Sequence, residues 1–580
     1  MIRSDKDLRQ TAGIIKLAPL LGILYYLLFV PSAFAFQSNV QLMVNAQTSV
    51  EKTDVESATP KYLPGDEIFD IVFELQQHLL WEEHDQWATD LNWPKLREFY
   101  AKRSFLPVWL DFNGPTEKAR IVRDMLVFSD REGLDPAEYH APAIQYMWRA
   151  RRAKSRARLE LMLTDAFLRY GIEVSVGYQY PQAADFDWHV KPKKIHILNR
   201  LESLLSADDT LAYIDQLPPP HSGYARLKAS LAHYRLLAEK GDWGYIKRGP
   251  QLALDVDHPQ VADLRVRLQH EGYLKHDDDV QSNLFDEVLD KAVKAFQQNY
   301  GHKVDGIVGR STRRSLNVSL LNRIKIIKQN MERWRWIPRE LGERYVMVNM
   351  AGYKLEYVER GESVLSMPVI VGKPYRATPA FVDKLEYLEL NPTWSVPPRI
   401  AKEKFLPKLR EDASFLSVNH LKVFDSWRKN AKEVDPTTID WNKVSDKWFP
   451  YKLEQVPGDH NSMGRIKFMF PNRFRVYLHD TPDRKLFNRY VRTFSAGCIR
   501  LSKPFDLASK ILGNSPVQGN QDFNEIIASG ETTRIPVGKS IPVYLLYWTS
   551  WVDEDGATNF RKDIYQRNKK IATSKEINLS

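Results

Sequence analysis

Cys498 is the sole cysteine among 580 residues. It follows Ser495-Ala496-Gly497 and precedes Ile499-Arg500-Leu501, and His479 lies upstream in Tyr477-Leu478-His479-Asp480-Thr481-Pro482. A cysteine attacks carbonyls as the thiolate, and an unperturbed thiol has a pKa near ~8.5, so an imidazole able to take its proton makes it a nucleophile. The small residues before Cys498 let backbone N–H groups turn toward an incoming carbonyl and stabilise its oxyanion. Leu507, Ala508 and Ile511 repeat at helical spacing and place a helix behind the nucleophile. One cysteine excludes an intrachain disulfide framework and a Cys-rich zinc site. The other histidines show no metal spacing, and no Gly-rich phosphate loop is present.

The start of the chain suggests export. Arg3, Lys6, Arg9 and Lys16 precede or enter an apolar run, Leu17–Val30, which leads to Ser32-Ala33-Phe34-Ala35. A basic segment, an apolar stretch shorter than the ~20 residues of a membrane span, and a small-x-small site make a signal peptide over 1–35. An uncleaved anchor is the alternative, and only it would put the protein on a membrane. Exported proteins avoid unpaired thiols, so Cys498 needs a chemical reason to be there. The formal net charge of +10 suits a polyanionic envelope. No zinc-finger spacing and no long Lys/Arg run favour nucleic acid.

Periodicity then divides the chain. Residues 36–65 are polar and read as a linker, and 66–245 as a helical scaffold domain, with Ile68, Ile71, Leu75, Leu79 and Leu80 at helical spacing. In 252–318, Pro259 opens a helix carrying Val261, Leu264, Val266 and Leu268. Phe285, Val288, Leu289, Ala292, Val293 and Phe296 form another, and Asp305-Gly306-Ile307-Val308-Gly309 turns into a third helix through Leu316. A connector covers 319–341. From 342 the period becomes two, as in Tyr345–Met350, Lys354–Val358 and Ser366–Gly372. Strand-like runs recur at Leu385–Leu390, Arg475–Leu478 and Pro542–Tyr547, so 342–547 is mainly β. A charged stretch, 398–460, reads as an inserted helical lid, and 548–580 as a C-terminal tail. The fold class expected is multidomain α+β.

The 252–318 unit resembles the peptidoglycan-binding three-helix domain in Val261–Leu268, Ala292–Gln297 and Asp305–Gly309. The region 330–555 resembles the L,D-transpeptidase (YkuD-like) catalytic domain, most closely its large Gram-negative, YcbB-like members. The resemblance is carried by Glu332-Arg333-Trp334-Arg335-Trp336, Val371-Gly372-Lys373-Pro374-Tyr375, Asn391-Pro392-Thr393-Trp394, Asn461-Ser462-Met463-Gly464 and the His479 and Cys498 motifs. It implies that Cys498 attacks the third residue of a peptidoglycan stem, diaminopimelate, and that His479 takes the thiol proton and relays one to the departing D-alanine. Backbone N–H groups of Ala496, Gly497 and Cys498 hold the oxyanion. A second diaminopimelate amine then resolves the thioester into a 3–3 cross-link. Water as acceptor would give a carboxypeptidase or endopeptidase, and a protein lysine would give attachment of protein to the wall. A catalytically dead wall-binding scaffold is the non-enzymatic alternative. The resemblance further implies a periplasmic protein, no metal or other cofactor, peptidoglycan peptides and glycan as partners alongside other cell-wall synthesis enzymes, and acylation of Cys498 by carbapenems. Many members carry His immediately before Gly-Cys. This chain has Ala496, so no role carries over from that histidine.

Other candidates keep two readings. Arg500 binds a stem carboxylate or braces the loop through backbone carbonyls. Tyr477 and Trp394 line the pocket or pack in the core. Asn461 and Ser495 contact substrate, or, for Asn461, form an ordinary turn. His479 needs an acceptor on its second nitrogen, either a backbone carbonyl near Asp480 or the Asp480 carboxylate.

Overall fold

A computed structural model describes residues 66–80, 91–191, 193–275, 279–445, 447–513, 523–569 and 571. The leader and linker expected over 1–65 lie outside these residues. The N-terminal region is helical. Helix α1 (Asp66–Leu80) buries Ile71, Leu75 and Leu79 at successive turns. Helix α2 (Ala153–Val176) is covered nearly all round, as its apolar run Leu159–Leu168 demands. Helix α3 (Ser222–Glu239) follows.

The three-helix unit consists of α4 (Gln260–His270), α5 (Glu287–Asn299) and α6 (Arg310–Leu316). Asp286 starts α5 by accepting from the Leu289 amide at 2.9 Å. Leu264, Leu268, Leu289, Phe296 and Leu316 belong to the same continuous core as the catalytic sheet. The stretch expected as a connector holds helix α7 (Leu320–Arg335), capped by Ser319. Glu332, Arg333 and Arg335 on it are 0–1% exposed, so the helix is a buried strut between the scaffold and the sheet.

The strands of the catalytic region and its insertion are β1 (Arg344–Asn349), β2 (Lys354–Glu359), β3 (Glu362–Gly372), β4 (Phe381–Leu390), β5 (Trp394–Ser395), β6 (Leu421–Phe424), β7 (Lys452–Gln455), β8 (Ile466–Met469), β9 (Leu478–His479), β10 (Thr493–Ser495), β11 (Ile499–Leu501) and β12 (Thr533–Leu546). Nine of them pair in the order β10-β3-β11-β9-β8-β4-β12-β1-β2, and β2 also pairs with β3. That last pairing closes eight strands into a barrel-like ring, which removes free sheet edges. Leu478, Ile499, Leu501, Ile466 and Phe468 face the apolar core. The alternate residues on these strands face the other way. Helix α8 (Pro504–Leu512) packs behind β11 through Leu507, Ala508 and Ile511.

Two expectations are revised. The 398–460 insertion is not wholly helical. Short helical turns over 398–418 give way to a separate sheet, β5-β7-β6, because Leu421 and Val423 alternate with polar residues opposite Leu453 and Gln455. It has its own apolar core around Leu406, Leu416, Trp441 and Leu453. Residues 548–569 and 571, from the stretch expected as a C-terminal tail, are not detached. A hairpin, Ser550–Val552 with Thr558–Phe560, folds them back, and Gln329 on α7 donates to the carbonyls of Asn568 and Ile571 at 2.9 Å each.

Candidate active site

β9 and β11 run parallel, with Leu478 opposite Ile499 and His479 opposite Arg500. Extending that register by one pair sets Tyr477 opposite Cys498, and the Ile499 amide donates to the Tyr477 carbonyl at 3.1 Å. Strand alternation then places Tyr477, His479, Cys498 and Arg500 on one face. The antiparallel β8 adds Lys467 opposite His479. The expected strand at Arg475–Leu478 begins only at Leu478. Asn472 Oδ1 accepts from the amides of Phe474 (3.1 Å) and Val476 (3.2 Å), curling the chain, and Arg475 takes φ 55°. That conformation brings the Arg475 carbonyl to 3.8 Å from Cys498 Sγ.

Cys498 keeps part of its surface exposed, as a nucleophile must. Burial pushes its thiol up, opposed by hydrogen bonds from the Tyr477 backbone and hydroxyl and by the charges of Lys467 and Arg500. The Tyr477 hydroxyl is therefore within hydrogen-bonding reach of the sulfur. His479 is 2% exposed, and burial, aided by the Arg500 charge, pushes it down to about 3. The resting pair is a thiol and a neutral imidazole, not an ion pair. His479 Nδ1 donates to the Asp480 carbonyl at 2.5 Å, which leaves Nε2 as the acceptor. The orienting group is thus the backbone carbonyl. The Asp480 carboxylate is taken by the Arg484 guanidinium (2.5 Å) and the Arg465 amide (2.9 Å).

Three model matches accompany this geometry. Residues 343–518 match the L,D-transpeptidase catalytic domain, 257–316 a "Putative peptidoglycan binding domain", and 94–231 a scaffold domain. The chain carries an L,D-transpeptidase catalytic domain. A "Putative L,D-transpeptidase" of Haemophilus influenzae is 36% identical over 252 residues, which are 43% of this chain and 50% of that protein. The chain therefore spans about half the length of this curated relative. A solved L,D-transpeptidase from Mycobacterium smegmatis aligns at 15% identity and TM-score 0.18, covering 35% of this chain and 58% of its own. One from Xylanimonas cellulosilytica aligns at 17% and 0.16, covering 52% and 100%. Scores this low add nothing to the domain matches.

Within the L,D-transpeptidase domain the remaining candidates separate. Ser495 is a loop brace. Its hydroxyl donates to the Cys498 carbonyl (2.5 Å) and accepts from the Gly497 amide (3.1 Å). Gly497, expected as an oxyanion donor, is thereby committed elsewhere. It is glycine because its φ is +129°, and a Cβ there would meet nothing within 4 Å. Arg500 braces through side chains rather than carbonyls, reaching Asp483 at 2.7 Å and Thr481 at 3.4 Å. Asn461 is fully buried. Its amide donates to the carbonyls of Pro392, Val456 and Gln455, and Oδ1 accepts from Met463. It joins the insertion to the barrel and presents no free polar group to a substrate. Trp394 packs on the insertion's core, edge to face with Phe405 at 6.1 Å.

The sequence reading missed two residues. Lys467 sits over the Tyr477 ring at 4.3 Å, and only the alternation of β8 hints at its direction. Thr378 donates to the Gly497 carbonyl at 2.7 Å, from a segment with no motif of its own.

Proposed function

We propose that this chain is an L,D-transpeptidase that forms 3–3 cross-links through a Cys498 thioester, in the periplasm to which its leader directs it. The observation that carries the reading is the shared face of β9 and β11, where a partly exposed thiol and a neutral, carbonyl-oriented imidazole are diagonal neighbours. His479 Nε2 takes the thiol proton as Sγ bonds the donor carbonyl carbon. With the Gly497 amide used by Ser495, the oxyanion falls to the amides of Cys498 and Ala496. Collapse expels D-alanine, whose nitrogen receives the proton from the imidazolium, and leaves the thioester. A diaminopimelate side-chain amine then attacks, giving an amide and free thiol. Peptidoglycan as partner is supported by the matched three-helix unit. No cofactor enters these steps.

The test incubates the protein with disaccharide-tetrapeptides and reads products by mass. Dimers with released D-alanine are expected, and Cys498→Ala abolishes both. Dimer formation that survives this substitution overturns the assignment. Tripeptide monomers alone would identify a carboxypeptidase instead. A carbapenem adduct on Cys498 gives an independent readout by intact mass.

A further inference from the structure

The loop that carries the nucleophile is held from outside the catalytic strands. Thr378 is 0% exposed. Its hydroxyl donates to the Gly497 carbonyl (2.7 Å) and accepts from the Gly372 amide (3.0 Å). Its own carbonyl accepts from Arg567 Nη2 at 3.0 Å. The Tyr565 hydroxyl donates to the Gly372 carbonyl at 2.7 Å and faces the Thr378 amide at 3.5 Å. Both residues belong to the folded-back C-terminal segment. Arg567 lies against the rings of Tyr547 and Tyr565, which stack at 5.4 Å, and it is anchored to Asp187 at 3.1 Å. The same stretch of the scaffold bonds Ala380, two residues past Thr378: the His189 amide donates to the Ala380 carbonyl (2.7 Å) and the Ala380 amide to the Asp187 carbonyl (2.8 Å).

The Gly497 carbonyl and the Cys498 amide are two ends of one peptide unit. That unit is planar and trans, so fixing where the carbonyl points fixes the N–H in the opposite direction. Gly497 cannot impose this direction itself, because glycine rotates freely about its backbone bonds. On the mechanism proposed above, the Cys498 amide is an oxyanion donor.

We propose that Thr378, clamped by Tyr565 and Arg567, is a positioning residue that aims the Cys498 amide at the oxyanion. The scaffold and the C-terminal segment thus reach the chemistry through one hydroxyl. Acylation of Cys498 needs that donor. Alkylation of the same thiol does not, since displacement at a saturated carbon develops no oxyanion.

The experiment compares the full chain with Thr378→Val, Thr378→Ser and Tyr565→Phe. Two rates are followed at Cys498: the p-nitrophenol burst with p-nitrophenyl acetate, and alkylation by iodoacetamide across pH. For Thr378→Val the burst rate falls about 100-fold, the scale of one lost oxyanion donor. Its alkylation rate and pH profile stay those of wild type. Thr378→Ser restores the burst to within a few-fold, and Tyr565→Phe, which leaves Thr378 in place, gives a smaller loss with the same split. A burst unchanged in Thr378→Val overturns the proposal, as does an equal fall in both rates, which marks general disorder of the loop. If Thr378→Val does not fold, Tyr565→Phe decides by the same split. Wild-type protein that bursts with the ester but makes no muropeptide dimers would count against the cross-linking function alone. Wild-type protein that alkylates without any burst would count against the oxyanion site.

Discussion

At Cys498 two influences oppose each other: burial keeps the proton on sulfur, while the Tyr477 groups and the charges of Lys467 and Arg500 favour the thiolate. Arg500 is already paired with Asp483. Lys467 is the more informative cation, because its neighbour Glu389 lies 3.8 Å away while its ammonium sits over the ring of Tyr477, whose hydroxyl bonds the thiol. Removing a nearby cation disfavours the anionic form, so the thiol's pKa must rise. Lys467→Met is therefore expected to shift the alkylation profile of Cys498 to higher pH and to lower the rate at neutral pH. Lys467→Arg, which keeps the charge, holds the profile near wild type. The profile is read from iodoacetamide rates between about pH 6 and 10, a window that brackets an ordinary thiol. An unmoved midpoint in Lys467→Met would show that the charge does not reach the sulfur.

The turn at 461–464 joins the insertion to β8 and depends on a single amide. Asn461 bonds three carbonyls and the Met463 amide, and all but the Val456 bond are fully buried. Gly464 follows at φ +61°, where a Cβ would stand 2.3 Å from the Asp480 carboxylate. Asn461→Ala strands buried backbone groups and is expected to lower unfolding free energy by about 1–3 kcal/mol, seen as a lower urea midpoint at unchanged slope. A variant as stable as wild type but with a raised KM would return Asn461 to the substrate, as its motif alone suggested. Asn-Ser-x-Gly marks a turn in sequence, yet it does not say whether the amide points in or out. The same limit explains the rest of what was hidden. Cys498 and His479 were legible because their types and spacing are chemical in themselves, and the strand and helix periods were legible because they are local. Thr378 reaches Gly497 across 119 positions and Arg567 reaches Thr378 across 189, through backbone carbonyls that any sequence possesses. The insertion's sheet was masked by its charged residues, which occupy the solvent side of strands only four residues long.

The scaffold, the three-helix unit and the barrel meet on α7, where the resemblance motif Glu332–Trp336 proves to be structural. Glu332 is fully buried, and burial raises its carboxyl above the usual range. It accepts from Arg335 (2.9 Å), the Trp336 indole (3.0 Å) and the Gln179 amide of the scaffold (3.1 Å). Arg335 goes on to the Tyr224 hydroxyl at 3.0 Å and the Glu132 carbonyl. Removing one partner of such a pair leaves the other charge uncompensated in the interior, at about 3–5 kcal/mol. Because the apolar core runs unbroken from Ala184 through the three-helix unit to the barrel, that loss should not stay in the scaffold. Glu332→Leu is expected to lower the urea midpoint of the far-ultraviolet transition and of the p-nitrophenyl acetate burst at Cys498 together, while Glu332→Gln, which can still accept from Trp336 and Gln179, loses less. The two probes report different regions, one mainly the helices and the other the nucleophile loop. If the helical signal melted early while the burst at Cys498 persisted to the wild-type midpoint, α7 would be a linker between independent domains. If both moved together, the nucleophile and the scaffold would be parts of one cooperative unit, as the hydrogen bonds from Asp187 through Arg567 and Thr378 to Gly497 require.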